Sequence, residues 1–65
     1  MIKAWKIKWN KKSASKLGWR PEWFCTTDFD DFLLSNIKAF QREHGLKEDG
    51  LCGSETYRII VTERE

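Results

Sequence analysis

Apolar positions along this chain fall into three sets with different spacings. In the first set, Phe29, Phe32, Leu33, Ile37 and Phe40 recur every three or four residues, and Leu34 and Ala39 widen the stripe. This spacing gives a helix one apolar face and predicts the main helix over residues 27–44. Asp28, Asp30 and Asp31 crowd its amino end, where the helix dipole is positive. Thr27 and Asp30 stand at capping-box spacing. The second set, Tyr57, Ile60 and Val61 with Ile59 at the flank, predicts a shorter helix over residues 54–62. The third set alternates: Trp5, Ile7 and Trp9 are separated by Lys6 and Lys8. Alternation reads as extended backbone. Trp5 and Trp9 also lie one helical turn apart, so a helix fits them too. The extended reading is taken here, as an aromatic arm packed across the helices.

The connections carry their own signals. Residues 10–16 are polar, residues 13–17 suit one helical turn, and Gly18 closes it. Pro21 pushes Arg20 out of the helical region, so residues 19–24 read as a loop. Pro21 equally suits the first position of a short turn. Trp19, Trp23 and Phe24 read as lids on the core. After His44, Gly45 supplies a left-handed helix stop, and Leu46 folds back on the last turn in a Schellman cap. Asp49-Gly50 makes a tight turn. Ser54 caps the next helix and Thr56 falls in its first turn. The expected core is Phe29, Leu33, Ile37, Phe40, Leu46, Leu51, Tyr57 and Ile60, with Cys52 beside them and Gln41 half-exposed.

Length bounds this picture. Sixty-five residues make one small domain, which buries little surface and relies on large side chains. Four Trp, four Phe and one Tyr supply them. No apolar run is long enough for a membrane span. The first residues lack the apolar core and cleavage site of a secretory signal. Contact with a target outside the cell membrane would then come after lysis, by phage delivery or by another export route. The ending carries no stop signal and fits a fragment of a longer protein.

Charge is unevenly spread. Residues 1–23 hold seven Lys or Arg and one acid, whereas residues 24–65 hold five and nine. The basic end reads first as a solvated face, and second as a polyanion-binding one. Cys25 and Cys52 fit neither a CxxC nor a Cys/His zinc pattern, and with a single His no metal or other cofactor is expected. Both cysteines read as small buried hydrophobes, with a disulfide the less favoured alternative.

The order Phe40-Gln41, Gly45-Leu46, Asp49-Gly50, Gly53, Thr56 resembles the small helical peptidoglycan-binding domain attached to many bacterial and phage cell-wall hydrolases. The resemblance extends back through Ile37-Lys38-Ala39 and Leu17-Gly18-Trp19, covering about the last two-thirds of the chain. A shift of 23 residues lays residues 26–33 over residues 49–56, matching the duplicated Asp-Gly…Gly…Thr loop of that family. In the first copy Thr26-Thr27 replaces Asp-Gly, Asp30 replaces Gly and Leu33 replaces Thr. The resemblance implies an all-α, three-helix bundle over residues 17–62. Residues 1–16, the arm, have no family counterpart, and residues 63–65 form a frayed tail.

Catalytic sets are not apparent. No pair of carboxylates is placed in an apolar pocket. Cys52 near His44 lacks an orienting third group and an oxyanion hole, and His44 suits a helix carboxyl end. The resemblance implies non-catalytic binding of peptidoglycan, targeting an attached or associated hydrolase. Its ligand contacts would come from Gln41, His44, Asp49, Gly50, Gly53, Ser54, Thr56 and Tyr57. Two rivals stand beside this reading. One is a protein-interaction or structural module, such as a phage-particle component. The other, weaker, is nucleic-acid binding by Lys6, Lys8, Lys11, Lys12 and Lys16.

Overall fold

The structure, a computed structural model, describes residues 4–64. Residues 1–3 of the arm and Glu65 of the tail lie outside the described residues. Three helices make the fold: α1 (Ala4–Leu17), α2 (Asp31–Glu43) and α3 (Ser54–Arg64), with one 3-10 turn at Pro21–Phe24. There is no strand among the described residues. The all-α, three-helix expectation holds, and one element differs in kind from its reading.

That element is the arm, which is helical and not extended. Its alternating Trp and Lys mislead because the buried face lies elsewhere. Asn10, Ser13 and Ala14 are buried, with Ile7 and Leu17 half-buried at the same helical spacing. Trp5 and Trp9 sit on the outer side, 58% and 39% exposed. With Asn10 and Ser13 at its centre, this face shows only a broken hydrophobic periodicity. Gly18 ends α1 with φ +94°, its N–H donating to Ala14 O at 2.8 Å. That single bond is the left-handed helix stop.

Pro21 opens the 3-10 turn, with Arg20 extended before it and Cys25 left-handed after it. The turn drives Phe24 inward. Trp19 and Phe24 are buried and meet edge to face at 5.6 Å, so they belong to the core and not to its lid. Cys25 is exposed, contrary to its buried reading; Cys52 is buried, and both are free thiols.

Helix α2 starts four residues later than its pattern suggests. Asp30 is the cap, its carboxylate accepting from Leu33 N at 3.1 Å. Thr27 bonds only weakly to Asp28, at 3.4 Å, so no capping box forms. The buried face centres on Ile37, with Leu33, Leu34 and Gln41. Phe32 lies about 140° round the helix from Ile37, at 100° per residue, and is 75% exposed. Ala39 is exposed as well. The carboxyl end is a Schellman motif: Leu46 N donates to Gln41 O and Gly45 N to Arg42 O.

Helix α3 buries Thr56 and Ile60 one turn apart, with Tyr57, Ile59 and Val61 half-buried. Gly53 takes the cap position, its carbonyl accepting from Tyr57 N, and Ser54 is the first helical residue. The core gathers Ala14, Trp19, Phe24, Leu33, Ile37, Cys52 and Ile60. Phe29, Phe40 and Tyr57 pack against it half-buried. Leu46 and Leu51, expected inside, are only half-buried.

Candidate functional site: a braced loop and its groove

The segment between α2 and α3 contains no regular structure, yet Gly50 and Cys52 within it are buried. Buried backbone polar groups need partners, and here side chains provide them from both sides. Gln41 reaches from α2. Its Oε1 accepts from Gly50 N at 3.0 Å, and the two Nε2 hydrogens are shared among Leu51 O, Asp49 Oδ1 and Thr56 Oγ1, each 3.0–3.1 Å away. Asn10 reaches from α1, donating to Gly50 O and accepting from Cys52 N, both at 2.9 Å. Ser13 Oγ donates to Cys52 O at 2.6 Å and accepts from Trp19 Nε1. Lys6 Nζ donates to Asp49 O at 2.6 Å. Asp49 Oδ1 also accepts from Leu51 N at 2.9 Å, which sets the turn locally. Gly50 has φ +76°, a left-handed backbone that favours glycine.

In front of this loop lies an open groove of about 390 Å³. Trp9, Leu46, Lys47, Leu51 and Glu55 border it. Gln41 and Thr56 form its base, 2% and 4% exposed. The expected half-exposure of Gln41 is therefore corrected: its amide is spent on the loop. The groove brings together Gln41, Asp49, Gly53, Ser54 and Thr56. Gly50 is buried behind it, a Cβ there meeting Lys38 and Leu34.

His44 and Tyr57 do not line the groove. Tyr57 stacks on Trp23 with ring centroids 6.2 Å apart. His44 bridges α2 to α3, its ring nitrogens facing Phe40 O and the Glu63 carboxylate. Both partners are acceptors, so both ring nitrogens donate in the imidazolium form. The Phe40 carbonyl first, then Glu63, raises the His44 pKa above 6.5. Burial pushes the Cys52 thiol up to about 12 and keeps it protonated.

Sequence reasoning missed Asn10 and Ser13. A signal was present: Trp9-Asn10 on α1 repeats the aromatic–amide pair Phe40-Gln41 on α2. Both amides grip the same loop from opposite sides.

A short helical domain whose loop is held by side-chain amides, with a groove open in front, defines the class as a small three-helix domain. Residues 16–60 match the family model described as putative peptidoglycan binding domain. The chain belongs to that family, and membership supports a role in binding peptidoglycan. The metalloendoproteinase 5-MMP of Arabidopsis thaliana is 48% identical over 40 residues, covering 62% of this chain. The match spans 11% of that relative's own length. No solved structure matches the chain significantly.

Proposed function

We propose that this chain is a non-catalytic peptidoglycan-binding module that brings an attached or associated cell-wall hydrolase to its substrate. The observation that carries this reading is the family match over residues 16–60. The groove suits it: a shallow site with one aromatic, mixed charges and hydroxyls is the kind that holds sugars and peptide stems. In this reading Gln41, Asp49, Gly50 and Thr56 serve the site by fixing the loop. Ser54, Lys47, Glu55 and the Gly53 backbone meet the ligand. His44 and Tyr57 act only through packing. Helix α1 belongs to the same binding unit as residues 17–62.

A pull-down on purified sacculi and on DNA, at low and high salt, tests it. Retention on sacculi that persists in high salt is expected, with a clear loss in the Lys47→Ala/Glu55→Ala double variant. Both side chains are exposed, so the variant keeps the fold. Binding to sacculi and DNA alike that vanishes with salt would overturn the reading in favour of nonspecific electrostatics.

A further inference from the structure

Trp9 borders a second concavity. On its far side α1 and the start of α3 enclose a groove of about 630 Å³. Lys12 and Lys16 line it from α1, and Gly53 and Ser54 line it from the loop end. Trp9, Lys12 and Lys16 are three and seven residues apart, so the helix sets them on one face. Trp9, Gly53 and Ser54 border both grooves, which therefore meet at one indole. That indole is positioned: a Cβ on Gly53 would lie 3.5 Å from Trp9 Cη2, so the ring edge rests over bare glycine backbone.

The two grooves differ in charge. The first sets Lys47 against Asp49 and Glu55. The second has two lysines and, among the described residues, no acid. Helix α1 itself carries five lysines and no acid. The amino end of α3 adds a partial positive charge at Ser54. An aromatic plate beside a cationic hollow is complementary to a sugar ring next to an anion.

We propose that this second groove is a subsite for a carboxylate-bearing unit of the same glycan strand whose uncharged part occupies the first groove. The proposal rests on the peptidoglycan reading above and names the part of the ligand that α1 recognises. Trp9 stacks on a sugar ring where the grooves meet, and Lys12 and Lys16 face the carboxylates of a peptide stem. Lysine suits this task, because a point charge on a flexible stem follows a mobile carboxylate without demanding one geometry. Trp9 and Lys12 precede the family match, whereas Lys16, Gly53 and Ser54 lie within it.

The test is titration of the full chain with a soluble disaccharide–tetrapeptide muropeptide, and with the same compound after amidation of its carboxylates. The free acid is expected to bind about three- to tenfold more tightly at low salt. K12Q/K16Q should bring that ratio to one. Both lysines are exposed, so the variant should keep the wild-type far-UV circular dichroism. Suppose the chain holds sacculi but does not distinguish the two compounds, or K12Q/K16Q preserves the ratio. The subsite is then overturned and the peptidoglycan reading survives. If the chain retains neither sacculi nor either muropeptide, both fall together.

Discussion

Gln41 is the residue on which the loop turns. One side chain serves the backbone at Gly50 and Leu51 and the side chains of Asp49 and Thr56. Removing it leaves a buried donor at Gly50 and several acceptors unmatched. Gln41→Ala should therefore cost about 2–4 kcal/mol in urea unfolding. A loss below about 1 kcal/mol would mean that water replaces the amide. The position was legible as part of a motif, but its burial was not. A glutamine in a helix pattern reads as solvent-facing unless its hydrogen-bond partners are known, and those lie on the following loop. His44 offers a second residue-scale test. Its folded pKa is raised above 6.5, so its contribution is complete below that value and is lost as pH rises through the folded one. The melting temperature should fall as pH rises above 6.5 for this reason, and His44→Gln should flatten that part of the profile. An unchanged slope in the variant would assign the effect to other groups.

At the scale of elements, α2 and α3 were readable because their buried faces carry Leu, Ile and Tyr at helical spacing. Glycine stops at 18 and 45 were readable for the same local reason. Helix α1 was not, since Asn10 and Ser13 on its inward face bond to a distant loop and interrupt the apolar signal of Ile7, Ala14 and Leu17. The start of α2 was misplaced because Thr27 and Asp30 have capping-box spacing, whereas the carboxylate of Asp30 makes the cap alone. The two caps give different predictions. Asp30→Ala should cost about 1 kcal/mol, and Thr27→Ala, at an exposed site, should stay within about 0.5 kcal/mol. Equal losses in chemical denaturation would restore the longer helix. The groove itself was only half legible: its motif residues could be named, but Trp9 reaches it from an element whose form the pattern concealed.

At the scale of the whole molecule, the loop is where chain segments far apart in sequence meet. Gln41 bonds to groups 8–15 residues away, whereas Asn10 and Ser13 bond across 39–42 residues. This difference sets an order of assembly. Closing the longer span costs about 1 kcal/mol more chain entropy. The α2–loop–α3 unit is therefore favoured to form first, with α1 docking onto a loop already shaped. Gln41→Ala should mainly slow refolding, and Asn10→Ala should mainly speed unfolding, in stopped-flow measurements across denaturant. The reverse pattern would make α1 the nucleus. During biosynthesis the consequence runs against chain order. Helix α1 is synthesised before its partners at Gly50 and Cys52, so the first helix made is the last one to find its place.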